Sequence, residues 1–257
     1  MTRANLTGWP YPFWIAHRGA GEFAPENTMA AFSLGAQHGF RMFECDVKLS
    51  ADGQLFLLHD STLTRTTNHR SANNSPELIA GDCDWAFLAT LDAGSWHSTP
   101  YAGEPLPTLS ALALWCIANK HHLNIEIKPT PGTEALTGEA VARVAAHLWR
   151  DELVPPLLSS FAVDALQAAK LAQPTLPRGL LLDKLKPGWL DTAQSLGCVA
   201  VICNHQLWTE DTVACVKAAG LKALSYTVNT ASDAKHLQDL GTDGIITDRM
   251  TTFNQRA

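Results

Sequence analysis

The sequence lacks any run of basic residues. Its 19 Lys and Arg are outnumbered by 25 Asp and Glu, so the formal net charge is -6 at pH 7. A surface that binds nucleic acid needs clustered Lys and Arg to neutralise phosphates. The composition therefore argues against a nucleic-acid partner.

Signals for membranes, thiol-based metal sites and dinucleotides are also missing. No apolar run approaches the ~18 residues of a membrane span, and residues 1–14 lack the apolar stretch of a signal peptide. The six cysteines are scattered without a C-x-x-C pair, which favours small buried side chains. No G-x-G-x-x-G follows the first apolar strand, and this weakens a dinucleotide-binding fold. We expect a soluble cytoplasmic protein with no membrane partner.

What the sequence contains is a regular alternation of short apolar strands and helices. Hydrophobic residues make up 46% of the chain, enough for a sizeable core. Eight strands are predicted, at residues 13–16, 42–49, 123–128, 157–160, 179–182, 199–202, 223–228 and 244–248. Such alternation indicates an α/β fold with parallel strands covered on both faces. Eight units in 257 residues favour a closed (β/α)8 TIM barrel over an open doubly wound sheet, as one domain spanning residues 1–257.

The stretch 42–60 predicts a β-hairpin that gathers charged side chains. The turn at 50–53 is too short for a parallel crossover, so the second strand returns antiparallel. Glu44 and Asp46 lie two residues apart and share one face, and His59 returns roughly opposite them. A solvated hairpin face is the alternative, but the neighbouring residues are apolar. Carboxylates held near a buried sheet repel each other unless a cation lies between them, so the stretch indicates half of a divalent-metal site.

Residues 61–107 differ from the rest of the chain. They hold clusters of Thr, Asn, Ser and Gly with dispersed aromatic residues. We interpret them as a small insertion after the second strand, with too few apolar residues for a core of its own. A long excursion inside a compact domain is often functional, and we expect a cap over the site.

Polar residues also collect at other strand ends. His17 and Arg18 follow the first strand, and Glu126 and Lys128 share one face of the third barrel strand. Active sites of TIM barrels lie at the C-terminal ends of the strands. Three carboxylates suit Mg²⁺ or Ca²⁺ rather than zinc, and the two cationic side chains suit a phosphate group. A structural histidine or a simple ion pair of Glu126 with Lys128 is the alternative for each residue taken alone.

Together these motifs resemble the glycerophosphodiester phosphodiesterases. The matching segments are H-R-G at 17–19, A-P-E-N-T at 24–28, E-x-D at 44–46, H-D at 59–60, I-E-I-K at 125–128, L-L-S-S-F at 157–161, Y-T-V-N at 226–229 and G-T-D-G-I-I-T-D at 241–248. The segments W-P-Y-P-F-W-I-A-H-R-G and L-D-A-G-S-W are closest to short bacterial cytoplasmic enzymes that accompany glycerol-3-phosphate uptake. The resemblance covers nearly the whole chain.

The resemblance implies a metal-dependent hydrolysis of deacylated phospholipids, such as glycerophosphocholine and glycerophosphoethanolamine. The products would be sn-glycerol 3-phosphate and an alcohol. One divalent cation is implied, with Mg²⁺ favoured and Ca²⁺ as the alternative. The implied roles are metal binding by Glu44, Asp46 and Glu126, general acid/base catalysis by His17 and His59, and phosphate binding by Arg18 and Lys128. Asp60 would either orient His59 or cap a turn.

Further contacts and partners are less determined by the sequence. Trp96, Trp208 and Tyr226 are candidates for an apolar wall beside the glycerol, with core packing as the alternative for each. The only expected partner is a small-molecule glycerophosphodiester, and a homodimer is left open.

The chain departs from the family pattern in the insertion, and other functions compete with the hydrolase. After residues 65–68 the family usually has Gly, but here His69 begins a polar stretch reaching Pro76, so the shape of the cap is left open. One competitor is a phospholipase-C-like lyase that releases a cyclic phosphate. Others are a catalytically silent barrel that binds phosphodiesters and a sugar isomerase barrel.

Overall fold

The computed structural model describes residues 8–70 and 76–253. Residues 1–7, 71–75 and 254–257 lie outside the described residues, and with them the first half of the stretch 1–14 and part of the polar departure. The strands in the described ranges are β1 Trp14–Ala16, β2 Met42–Leu49, β3 Leu55–Leu57, β4 His122–Ile127, β5 Leu157–Ser160, β6 Arg178–Leu182, β7 Ala200–Asn204, β8 Lys222–Tyr226 and β9 Gly244–Thr247.

Helices alternate with these strands along the chain. The α-helices in the described ranges are α1 Met29–Gln37, α2 Trp85–Leu88, α3 Leu109–Ala118, α4 Glu134–Leu148, α5 Val163–Ala172, α6 Trp189–Ser195, α7 Glu210–Ala218 and α8 Ala231–Asp239. Short 3₁₀ helices occupy Gly21–Phe23, Ala80–Asp82, Thr99–Tyr101 and His205–Leu207. Within the described part of the chain, no helix combines the length and the apolar composition needed to cross a bilayer.

The strands close into a barrel. Strand β1 pairs in parallel with β9 on one side and with β2 on the other, through the Cα partners Ala16 and Phe43. The remaining barrel strands follow in the order β9, β8, β7, β6, β5, β4 and β2. Together these form a closed eight-stranded parallel barrel with surrounding helices, which confirms the predicted (β/α)8 fold.

Strand β2 carries the site because its side chains alternate between the barrel interior and the helix layer. All eight of its residues are buried. Met42 packs in an apolar cluster with Ile15 and Ile246. Glu44 and Asp46 point to the same face of β2 as Met42. The carboxylates therefore stand above an apolar layer, toward the C-terminal end of the barrel.

The hairpin forms as predicted. Strand β3 pairs antiparallel with β2 in the register Val47–Leu57, and the Leu58 N–H donates to the Asp46 carbonyl at 3.1 Å. The next residue, His59, therefore lies beside the carboxylates of β2.

The insertion packs against the hairpin. A separate cluster of buried apolar residues joins the two, comprising Phe56, Leu58, Leu63, Ala80, Leu88, Leu91, Ala93 and Leu106. Six of these belong to residues 61–107, and the two hairpin side chains complete the cluster. The insertion therefore shares its apolar cluster with the barrel hairpin.

Candidate active site

His17 is held in place by a carboxylate from the last strand. The His17 N–H donates to the Thr247 carbonyl at 3.0 Å, which continues the β1–β9 ladder. His17 Nδ1 then lies 2.7 Å from Asp248 Oδ1, and Asn229 Nδ2 donates to Asp248 Oδ2 at 2.8 Å. An ionised carboxylate can only accept a hydrogen bond, so the proton of the neutral His17 ring is on Nδ1. The other ring nitrogen, Nε2, faces Glu44 and lies 3.9 Å from its Oε2.

Asp248 remains ionised in this setting. Burial raises the pKa of its carboxyl, but the hydrogen bond and charge of His17 and the amide of Asn229 outweigh burial and leave the pKa below its usual range. The sequence analysis assigned no role to Asp248 or Asn229, although both lie in segments of the family resemblance.

Arg18 reaches three carboxylates because its backbone turns sharply. Its φ of +51° is in the left-handed region, and Gly19 follows with φ +102° in close contact with α1. The Arg18 backbone N–H donates to Glu44 Oε2 at 3.1 Å. Its guanidinium lies 3.2 Å from Asp46 Oδ2 through Nε and donates to Glu26 Oε1 at 2.8 Å through Nη1.

Glu44, Asp46 and Glu126 form a carboxylate triad. One oxygen from each lies within 4.8 Å of the others, and Asp46 is the direct partner of Glu126 in the β2–β4 register. Burial is the largest cause that raises the pKa of Glu44 well above normal and that of Glu126 to about 7, and the neighbouring carboxylates add to it. Glu44 Oε1 is buried and has no hydrogen-bond partner among the residues that the structure describes. A buried carboxyl oxygen without a donor, beside two other carboxylates, fits a divalent cation.

Asp46 is the carboxylate of the triad with the strongest cationic surroundings. Lys128 Nζ lies 3.2 Å from Asp46 Oδ1 and 3.1 Å from Glu126 Oε1. Asn27 donates to Asp46 Oδ2 at 2.8 Å and accepts from its backbone N–H at 3.1 Å. Burial raises the pKa of Asp46, but Arg18 and Lys128 outweigh it and hold the pKa well below its usual range.

His59 is the second histidine at the site. Its Nδ1 lies 2.7 Å from Asp60 Oδ1. This contact fits the first of the two roles expected for Asp60, orientation of the His59 ring. Burial lowers the pKa of His59, and Arg18 and Lys128 act in the same direction against the charge of Asp46. The ring is therefore neutral near pH 7 with Nε2 free of the carboxylate.

A cavity of about 200 Å³ lies between the two histidines. It is lined by His17, Arg18, Glu44, His59, Asn124, Glu126, Lys128, Phe161, Leu181, Tyr226, Thr227 and Ile246. Tyr226 and Phe161 meet edge to face with ring centroids 5.7 Å apart, and the Tyr226 hydroxyl donates to the Leu182 carbonyl at 3.0 Å. This ring pair therefore borders the cavity, and contact of Tyr226 with the glycerol stays a prediction.

Trp208 does not share this wall. Its side chain is 3% exposed in the main apolar core, and its indole N–H donates to the Leu224 carbonyl at 3.0 Å. The expectation that Trp208 contacts the substrate is corrected: its ring is buried among core residues and its N–H is bonded to a backbone carbonyl, so it packs in the core, the alternative left open for it.

A second cavity of about 370 Å³ adjoins the first and shares His17 and Arg18 with it. Its other lining residues are Gly21, Glu22, Ala24, Glu26, Arg65, Trp96, His97 and Asp248. Three of these, Arg65, Trp96 and His97, come from the insertion. The insertion therefore forms one wall of the site. Of its three lining residues the sequence indicates Trp96, as a candidate for the apolar wall, but no pattern points to Arg65 or His97.

The fold and the site define an enzyme whose polar side chains converge at the C-terminal ends of the barrel strands, where TIM barrels react with their substrates. The model of the glycerophosphoryl diester phosphodiesterase family matches residues 17–252. The chain belongs to this family. The match confirms the resemblance and the expected class of enzyme, a glycerophosphodiester phosphodiesterase.

Individual relatives agree with the family match. A glycerophosphodiester phosphodiesterase of Caldanaerobacter subterraneus subsp. tengcongensis is 31% identical over 93% of this chain and 95% of that protein. A solved phosphodiesterase of Oleispira antarctica, in complex with the product sn-glycerol-3-phosphate, is 34% identical with a TM-score of 0.85 over 93% of both chains. A glycerophosphodiester phosphodiesterase structure from Agrobacterium tumefaciens is 28% identical with a TM-score of 0.77, over 94% of this chain and 98% of that one.

Proposed function

We propose that this protein hydrolyses glycerophosphodiesters, such as glycerophosphocholine and glycerophosphoethanolamine, to sn-glycerol 3-phosphate and an alcohol, with a divalent cation and two histidines. The observation that carries the proposal is one cavity lined by two histidines and by Glu44 and Glu126, which form a carboxylate triad with Asp46. Each histidine is tied to its own carboxylate at 2.7 Å. This arrangement supplies a cation site and two proton-transfer groups in reach of one phosphodiester.

The triad is the proposed cation site. Glu44, Asp46 and Glu126 would hold Mg²⁺, or Ca²⁺ as the alternative, because both ions prefer carboxylate oxygens. The unpartnered Glu44 Oε1 and the raised pKa values of two of the three carboxyls support this assignment. A bound cation would polarise a phosphoryl oxygen and offset the negative charge that builds up at phosphorus.

The two histidines are proposed as the acid/base pair. Asp248 and Asp60 fix the Nδ1–H tautomers of His17 and His59, so each ring presents Nε2 for proton transfer. One ring, neutral and with a free lone pair on Nε2, would accept the proton of the attacking oxygen. The other ring would enter the step as imidazolium, protonated on both nitrogens, and would donate its Nε2 proton to the departing alcohol oxygen. Exchange of protons with solvent would restore both rings for the next turnover. Arg18 and Lys128 would place positive charge beside the phosphate oxygens.

The two adjoining cavities support a division of the substrate. The inner cavity of about 200 Å³, with the ring of Tyr226 on its wall, would take the glycerol phosphate part. The outer cavity of about 370 Å³, bordered by Trp96, would take the alcohol. They meet at His17 and Arg18, where the scissile bond would lie.

Release of sn-glycerol 3-phosphate from glycerophosphocholine tests the proposal. We expect activity that EDTA abolishes and that Mg²⁺ or Ca²⁺ restores. Product analysis separates hydrolysis from the competing lyase reaction, which would release a cyclic phosphate. No release with any cation from the folded protein would contradict the proposal and favour a silent binding barrel.

A pair of isosteric variants ties the cation requirement to the triad. Glu126→Gln removes one triad charge, and we expect the Mg²⁺ concentration for half-maximal activity to rise at least ~10-fold. Glu139→Gln changes an exposed carboxylate of α4 that pairs with Arg143, and it should leave that concentration unchanged. Equal cation dependence in both variants would remove Glu126 from the proposed cation site.

Three statements remain predictions from the sequence and its family resemblance: the cytoplasmic location, the association with glycerol-3-phosphate uptake and the single-domain span 1–257. A homodimer stays open.

A further inference from the structure

Arg65, on the insertion, makes four short contacts with two carboxylates. Its Nε lies 2.6 Å from Asp60 Oδ2 and its Nη2 lies 2.9 Å from Asp60 Oδ1. Its Nη1 and Nη2 lie 2.7 Å and 2.8 Å from the two oxygens of Glu26. The guanidinium therefore bridges two acids, each through two donors, a geometry that Arg forms and Lys does not.

The oxygens that Nη2 contacts are the same oxygens that hold two groups at the reaction site. Asp60 Oδ1 accepts from His59 Nδ1 at 2.7 Å, and Glu26 Oε1 accepts from Arg18 Nη1 at 2.8 Å. Nη2 of Arg65 therefore shares one acceptor oxygen with His59 and another with Arg18. Arg65 is linked to both groups only through these carboxylates.

The backbone that carries Arg65 is fixed. Its neighbours Leu63, Thr66 and Thr67 are buried, and the Thr67 hydroxyl donates to the Leu63 carbonyl at 2.5 Å. Leu63 also belongs to the apolar cluster that joins the insertion to the hairpin. The guanidinium is therefore presented from an ordered segment, so little conformational entropy is lost in forming its contacts.

We propose that Arg65 is a positioning residue for the reaction: by bridging Asp60 and Glu26 it sets the ring of His59 and the guanidinium of Arg18. The proposal rests on the proposed function. The hydrogen bond from Arg65 is also the first cause that lowers the pKa of Asp60 to about 2, which keeps Asp60 an acceptor for His59.

A purely structural role predicts a different result. The side chain of Arg65 is 44% exposed, and exposed ion pairs stabilise proteins little. Loss of Arg65 should therefore reduce the melting temperature only slightly. Its effect should appear in catalysis, because displacement of an acid/base group by about 1 Å is enough to slow a reaction strongly.

The first experiment compares kcat and KM for glycerophosphocholine in three variants. We expect Arg65→Ala to lower kcat by about 10- to 100-fold. Arg65→Lys should recover only part of this loss, since an ammonium group does not bridge both acids bidentately. Arg70→Ala is the matched control, because Arg70 is also an exposed arginine of the insertion but donates to the carbonyls of Thr67 and His69. An Arg65→Ala kcat within about 3-fold of that of Arg70→Ala would overturn the proposal.

A double variant tests whether Arg65 acts through Asp60. In the Asp60→Asn background, Arg65→Ala should lower kcat much less than it does in the wild type, because the bridge is already disrupted. Losses that multiply in full in the double variant would show that Arg65 acts independently of Asp60, and would overturn the assignment.

A readout that needs no substrate separates this inference from the proposed function. Long-range ¹H–¹⁵N spectra report the tautomer of His59, and we expect Nδ1–H in the wild type and a mixture of tautomers in Arg65→Ala. If the wild type releases no sn-glycerol 3-phosphate, the proposed function fails while this spectrum still tests the positioning. An unchanged His59 tautomer in Arg65→Ala would overturn the positioning even in an active enzyme.

Discussion

The two histidine–carboxylate pairs at this site have the same geometry and different support. His17 and His59 each lie 2.7 Å from their carboxylate through Nδ1. Asp248 is held by the neutral amide of Asn229, which also accepts from the Asp248 backbone N–H at 3.0 Å. Asp60 is instead held by a guanidinium from the insertion.

The difference teaches how the two pairs depend on the fold. The partners His17 and Asp248 are 231 residues apart and come from neighbouring strands β1 and β9, so barrel closure alone brings them together. The partners His59 and Asp60 are adjacent in sequence, and adjacency does not fix where either side chain points. The hairpin pair requires the insertion, whereas the barrel pair requires only the strands.

The largest expected effect tests whether the two pairs do equivalent work. We expect His17→Ala and His59→Ala each to lower kcat for glycerophosphocholine by ~10²–10⁴, the range for general acid–base groups. His236→Ala, on the exposed face of α8, serves as the matched control. A near-wild-type rate in either of the first two variants would remove that histidine from the mechanism and break the equivalence.

Much of this site could be predicted because strand periodicity is strict. Glu44 and Asp46 share a face whatever the rest of the fold is, and a four-residue turn returns His59 beside them. Asp248 could have been found by the same rule, since it is the first polar residue past the last barrel strand. Its partner Asn229 could not, because that hydrogen bond depends on how two loops meet above the closed barrel.

The insertion resisted prediction for a different reason. Arg65 lies in the family-like residues 65–68 and Arg70 in the polar departure that follows, but neither position indicates a role. Only long-range contacts show that Arg65 binds Asp60 and Glu26. Leu88 and Leu91 are too dispersed to indicate a cluster. The sequence does not separate a Trp beside the cavity from a Trp in the core, and only the packing places Trp208 in the core.

Isosteric substitution of the carboxylates should give an intermediate effect and sharpen the comparison. In Asp248→Asn and Asp60→Asn an amide replaces one acceptor oxygen, which disfavours the Nδ1–H tautomer, and we expect kcat to fall by roughly 10²-fold. Asp60→Asn should lower kcat more than Asp248→Asn. At position 60 the new amide N–H₂ faces the charged guanidinium of Arg65, whereas at position 248 it faces the neutral amide of Asn229. Equal kcat values for the two variants would contradict the distinction between the pairs.

The smallest expected effect is on stability, and it has a defined sign with pH. Arg65 lowers the pKa of Asp60 to about 2, below the ordinary 3.8, so the folded protein binds fewer protons than the unfolded chain between these values. The stabilisation is therefore complete above the unfolded pKa and is lost as the pH falls toward 2. Because the site is partly exposed, we expect it to amount to about 1–2 kcal/mol.

Urea unfolding of the wild type and Asp60→Asn from pH 6 to pH 2.5 measures this contribution. The gap in unfolding free energy should be constant above about pH 5 and should shrink steadily below pH 4. Asp248→Asn provides the comparison, because the pKa of Asp248 is also below its usual range. Burial, which raises the pKa, is the largest influence on Asp248, whereas the hydrogen bond from Arg65 is the largest on Asp60. Its gap should therefore change less. A gap for Asp60→Asn that does not vary with pH would contradict this prediction. It would mean that the pKa of Asp60 is the same in the folded and the unfolded chain. The guanidinium of Arg65 would then orient Asp60 without stabilising its charge.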